Sequence, residues 1–259
     1  MTTDVAETKR KAEAGDSAAQ FTLADIFAGQ SRPADALVWY RKAGEQGRID
    51  AIHRIGQILL FGAAGLPSDK SVRADAATGI RFVFWAATNR YIAAYYDMHR
   101  AYRDGLGVHK DRVQAFAWLQ LDVASKFSPI TASMHQSELN KLALDLDLPA
   151  IETGKRFAAQ YNAGQWPKLN PVAQQSSNAV RPGHGNSGTS VSEPVLKLNG
   201  LLLGTNPMAI INGKTVEEGS IATIPLKARS VTLKCIKIET NSVLIHLEGE
   251  ERPRRLYRN

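Results

Sequence analysis

The stretch from Tyr95 to Ala124 limits the possible folds more than any other part of the chain. It carries two apolar faces at helical spacing, joined by Gly105-Leu106-Gly107-Val108. Comparable units open at Ala19 and Ala51. Self-similarity of this kind predicts stacked helix pairs, because no single pair can bury its apolar face alone. On the opening helix Ala19, Ala51 and Ala94 share a position, followed by Leu23, Ile55 and Met98 and then by Ala24, Gly56 and His99. Small residues admit a neighbouring helix, and the larger Phe27, Leu59 and Tyr102 one turn on fill the groove between them. Gln30, Gly62 and Gly105 close the helices, where glycine suits a positive φ. The second helices align at Ala36, Gly79 and Ala115, each on the face of an aromatic residue: Trp39, Phe82 and Trp118. Units one and two then end in Ala43-Gly44 and Ala86-Ala87, whereas Asp122 replaces the expected alanine in unit three.

These residues resemble the Sel-one-like repeat, a relative of the tetratricopeptide repeat, with the pattern A-x3-L-G-x2-Y-x2-G-x-G-V-x2-D-x3-A-x2-W. Unit three matches through Ala94, Met98, Tyr102, Gly105, Gly107, Val108, Asp111, Ala115 and Trp118. Unit one has a shortened loop near Arg32-Pro33, and unit two carries an insertion near Ala63–Ala77. The resemblance implies a helical solenoid whose first helices line a concave, partner-binding face.

The expected fold class is α+β in separate domains. Residues 5–163 form an all-α helical-repeat solenoid, 164–194 a flexible linker rich in Gln, Ser, Asn and Gly, and 195–259 a small β-rich domain. Residues 129–163 should cap the solenoid with two amphipathic helices, one bearing Met134, Leu139, Leu142 and Leu146, the other starting near Pro149 with Ile151, Phe157 and Tyr161. In the last domain, Ala209–Val216 reads as a hairpin turning at Asn212-Gly213. Ser230–Ile238, Ser242–Leu247 and Arg254–Tyr257 read as further strands. The string L-x-L-x-G followed by A-I-I-N-G-K-x-V resembles small β domains of bacterial type II secretion and type IV pilus assembly proteins. That likeness implies periplasmic protein partners.

Several chemistries are excluded or unsupported. Gly213-Lys214-Thr215 lacks the upstream glycine of a phosphate loop, since Met208 stands there. The histidines at 53, 99, 109, 135, 184 and 246 form no H-E-x-x-H pair, and Cys235 is the only cysteine, alternating with Val231 and Leu233 toward a core. No nucleophile elbow is present, and Asp145/Asp147 and Glu217/Glu218 read as solvated pairs. No catalytic residue, metal site or cofactor is therefore expected. The net charge of +7 is concentrated late in the chain, in Arg252, Arg254, Arg255 and Arg258, with Tyr257 the only aromatic among them. Nucleic acid is not expected as a partner, and no apolar run is long enough to span a membrane. The N-terminal run Met1-Thr-Thr-Asp-Val-Ala-Glu lacks an apolar signal core, which makes the cytoplasm the expected location; the secretion likeness implies the periplasm instead.

What remains is surface. The expected partner-binding residues are His53, Arg54 and Gln57 in unit two and Tyr95, Tyr96, Asp97 and Arg100 in unit three. Tyrosine and arginine are common interface anchors. Packing of Tyr95 and Tyr96 against the Asn89–Ile92 turn or the previous unit is the competing reading. The expected function is a non-enzymatic scaffold or adaptor for peptide or protein. The alternatives are a component of an envelope secretion or pilus system and a hydrolase.

Overall fold

The computed structural model describes residues 5–62, 75–125, 129–172, 196–203, 207–212, 214–226, 230–250 and 252–258. Backbone contacts divide the chain into two units, 1–174 and 175–259. The first is helical throughout its described regular elements: α1 (Val5–Glu13), α2 (Ser17–Gly29), α3 (Pro33–Glu45), α4 (Ile49–Phe61), α5 (Ala76–Thr88), α6 (Ala93–Asp104), α7 (Arg112–Ser125), α8 (Pro129–Leu144) and α9 (Leu148–Asn162). Aspartates start four of them: Asp16, Asp75, Asp111 and Asp147 each accept a hydrogen bond from a first-turn amide. Gly105 ends α6 in the left-handed conformation.

From α1 to α8 each helix packs on the next, α9 packs back on α7, and the expected pairs are α2–α3, α4–α5 and α6–α7. The shared small positions do the work assigned to them. Ala36, Ala51, Ala94 and Ala115 are fully buried. A Cβ at Gly79 would strike the backbone of Leu59 and Leu60, and one at Gly56 would lie 2.9 Å from the Val83 amide nitrogen. Glycine at these two positions is what lets α4 and α5 touch backbone to backbone. Of the three aligned aromatics, Phe82 and Trp118 are buried, whereas Trp39 is half-buried in the first repeat, beside Ala12, Leu23 and Phe27.

Trp118 lies against Phe84, Tyr95 and Tyr161. Trp166 stacks on it, with the two rings 5° from parallel. Trp166 belongs to the stretch read as linker from 164 onward. Residues 165–172 instead run back over the helices, and the Val172 amide donates to the Gly107 carbonyl at 2.9 Å. The rest of the expected linker, 173–194, lies outside the described residues, as do 63–74 of the expected insertion. The terminal helices form where expected, with Leu139 and Tyr161 buried, but Met134 is exposed. Leu146 falls in the turn after α8.

In the second unit β1 (Leu198–Leu202), β2 (Met208–Ile211) and β3 (Lys214–Glu217) form one antiparallel sheet. The strands β4 (Ile221–Pro225), β5 (Ser230–Ile238), β6 (Ser242–Leu247) and β7 (Arg254–Tyr257) form another. Asn212 takes φ 48° in the expected hairpin turn; Gly213 lies outside the described residues. Both sheets contribute to one core that includes Ile211, Val216, Leu233 and Ile245. Cys235 is in it, and burial pushes its thiol up to about 11. The arginines near the C-terminus are held in or beside the edge strand β7: Arg254 pairs with Glu250, and Arg255 with Glu239.

Candidate functional site

The groove wall of the first helices follows from repeat register. Two positions after the shared alanine stand Phe21, His53 and Tyr96; three after, Thr22, Arg54 and Asp97; six after, Asp25, Gln57 and Arg100. Asp25, Gln57 and Arg100 all line one cavity of about 460 Å³, together with Tyr40 and Phe61. A second cavity of about 560 Å³ is bounded by His53 on α4, Tyr96 and Asp97 on α6, Asp122 on α7 and His135 on α8. Arg54 and Gln57 line both.

The polar side chains in these walls hold one another in place. Asp97 is buried and meets His53 Nε2 at 2.8 Å, while Gln57 Nε2 donates to the same carboxylate oxygen at 2.7 Å. Arg100 lies 3.7 Å from Asp97, and its guanidinium sits over the Phe61 ring at 4.0 Å. Arg54 donates to Gln57 at 3.2 Å and reaches Asp25 only at 3.9 Å. Asp25 in turn accepts from the Tyr40 hydroxyl, whose pKa is raised by burial and by that carboxylate.

Toward α8 the wall changes character. The Tyr96 and His135 rings stack face to face, 4.0 Å apart and 6° from parallel. His135 Nδ1 meets Asp122 Oδ2 at 2.5 Å. Glu138 accepts from the Tyr96 hydroxyl at 2.8 Å and from Arg103 Nη1 at 2.5 Å, and lies 3.1 Å from His99 Nε2. The two carboxylates are tuned in opposite directions. Burial pushes the Asp122 carboxyl up, and His135 only partly offsets it. Burial also acts against ionised Glu138, but His99, Tyr96 and Arg103 together outweigh it and hold that carboxyl below its ordinary range.

Of the expected partner-binding residues, His53, Arg54, Gln57, Tyr96, Asp97 and Arg100 come together around the two cavities. His53 and Asp97 are not exposed, however; they are buried against each other. Tyr95 is elsewhere. It is buried against Trp118, one position after the shared alanine, as Ile52 is in the preceding unit. It lines a separate cavity of about 560 Å³ with Leu121, Ala158 and Lys155, between α7 and α9. Asp25, outside the expected set, is marked by the repeat register, since it holds the position of Gln57 and Arg100. His135 and Glu138 lie in α8, beyond the repeat pattern, and left no such trace. Asp122 did leave one, as the aspartate in an alanine position. Among the described residues no group of three or more His, Cys, Asp or Glu side chains is placed to hold a metal ion. No described helix is long and apolar enough to cross a membrane.

A scan against protein-family models finds no match, and a search of curated proteins finds none either. Among solved structures, the chain is similar to c5321, a protective antigen present in uropathogenic Escherichia coli strains displaying an SLR fold. The identity is 24% and the TM-score 0.53, over 70% of this chain. The chain spans 38% of that protein's length. It is also similar to a Sel1 repeat protein from Oxalobacter formigenes, with 28% identity and a TM-score of 0.40, covering 52% of this chain and 98% of that one. The first similarity shows the fold: helix pairs stacked as in the SLR, or Sel1-like repeat, architecture, followed here by a small β unit. The expected likeness of residues 195–259 to secretion and pilus domains finds no support in these comparisons.

Proposed function

We propose that this chain is a non-enzymatic scaffold that binds a peptide or protein segment along the face of its first helices. The observation that carries this reading is the run of two cavities sharing Arg54 and Gln57, walled by side chains from successive repeats. Its walls are fixed before a partner arrives. Asp97, His53 and Gln57 are locked together, and Tyr96 is held by His135 and Glu138. Pre-set side chains lose little rotamer freedom on binding. The solenoid and the β unit, joined through a polar stretch, then act as two binding modules on one tether, which raises overall affinity without new contacts at either.

The test is affinity capture from the native cell with Arg54→Glu and Arg100→Glu. Both guanidiniums lie at the groove, and neither is fully buried. Loss of captured partners with an unchanged melting curve supports the groove. Unchanged capture removes it. A place in an envelope secretion or pilus system rests on the strand pattern of residues 195–259. Fractionation tests it, and a purely cytosolic pool argues against it.

A further inference from the structure

The larger groove cavity has a composition that the scaffold reading does not use. Two carboxylates, Asp97 and Asp122, stand in its walls, with side chains only 5% and 10% exposed. Each is hydrogen-bonded to one imidazole and to no lysine: Asp97 to His53, Asp122 to His135. Aromatic pairs flank them. The His53 ring lies 5.0 Å from that of Tyr91, and Tyr96 is stacked on His135. Two guanidiniums are close by: Arg100 already pairs with Asp97, and Arg54 lines the cavity. Arg100 is spread over Phe61, at 3.7 Å from Asp97, and Arg54 is shared with the smaller cavity. Asp122 has no arginine or lysine among its hydrogen-bond or ion-pair partners among the described residues. Burial pushes its carboxyl up, and His135 only partly offsets this.

Buried carboxylates beside ring faces are a receptor for a cation: the charge answers the desolvated aspartates, and the rings add their quadrupole. We propose that the cavity between α4, α6, α7 and α8 is a subsite for a cationic side chain, an arginine or lysine of the bound segment. Asp122 is its counter-charge, and Tyr91 and Tyr96 its walls. The proposal rests on the groove being the binding face and names what one stretch of it reads.

The experiment uses the full chain and NMR of the Tyr and His ring resonances, titrated with N-acetyl-arginine amide, N-acetyl-lysine amide and the uncharged N-acetyl-citrulline amide. Saturable shifts at Tyr91, Tyr96 and His135 are expected with the two cations, with citrulline weaker by about tenfold. Asp122→Asn keeps the shape of the side chain and should weaken the cations by about tenfold, leaving citrulline unchanged. Arg54→Gln removes a like charge from the cavity and should tighten them by roughly threefold, a gain that misfolding does not imitate. Equal response to citrulline and arginine overturns the proposal, as does a cation response indifferent to both substitutions. Partner capture that depends on the groove, with no arginine response, overturns the subsite alone. An arginine response with capture indifferent to groove substitutions overturns the groove reading alone.

Discussion

Between α4 and α5, Gly79 sits where any side chain would strike the Leu60 backbone. Between α7 and α8, Asp122 takes a position that earlier repeats fill with fully buried Ala43 and Ala86, and it grips His135 instead. The first joint is apolar and backbone-close; the second adds the Asp122–His135 pair to an apolar core of Phe116, Leu119 and Leu139, while Glu138 ties α8 to Tyr96, His99 and Arg103 on α6. A buried polar joint is a weak source of net stability, because desolvation offsets most of the attraction. It does fix geometry. The apolar joint stacks the repeats, and the polar one sets the wall of the groove.

The comparison breaks first at the aromatics. Trp118→Ala empties a fully buried site and should cost about 4 kcal/mol in urea unfolding. The equivalent Trp39→Ala, at a half-buried position, should cost less than half of that, about 1.5 kcal/mol. Equal costs would show that the repeats are energetically alike. Next in size is Gly79→Val, expected to cost about 3 kcal/mol because backbone, not a pliable side chain, must move.

The smallest effect is the most specific to the polar joint. Glu138 is held below the ordinary carboxylate pKa, so its stabilisation is present above about pH 4.3 and is lost as pH falls through its lower folded value. The stability gap between the natural chain and Glu138→Gln should close on acidification. Asp122 is shifted the other way; its contribution is present below about pH 3.9 and is lost as pH rises through its folded value. Relative to Asp122→Asn, the natural chain should therefore gain stability as pH falls. Urea titrations from neutral to acid pH measure both gaps, and slopes of the same sign would contradict opposite tuning.

Most of the architecture was legible because packing in a repeat is periodic. The shared alanines located α2, α4 and α6, and the alanine–aromatic pairs located α3, α5 and α7. In the β unit, alternation marks β5 and β6, Arg254–Tyr257 reads as an edge strand where β7 lies, and Asn212-Gly213 places the hairpin between β2 and β3. Strand β4 leaves little trace in the sequence: Ile221–Pro225 is short, ends in proline, and presents Ile221 to solvent. Trp166 was absorbed into a polar stretch by composition, although one aromatic in the right place is enough to hold a segment down. Tyr95 packs inward, away from Tyr96, for a rotational reason. Adjacent helix residues point about 100° apart, so Tyr95 and Tyr96 cannot share a face. The equivalent Ile52, buried in the unit before, already marked Tyr95 as packing. The α8 side of the groove was illegible because its residues answer to Asp122 across space, not to a period along the chain.

The central claim is that partners bind on the first-helix face. A photo-cross-linking residue at Gln57, which lines both cavities, is to be compared with one at Val38, half exposed on a second helix. The account predicts a discrete cross-linked partner from Gln57 and none from Val38, with the Gln57 product lost on Arg100→Glu. A discrete partner from Val38 and none from Gln57 would contradict it.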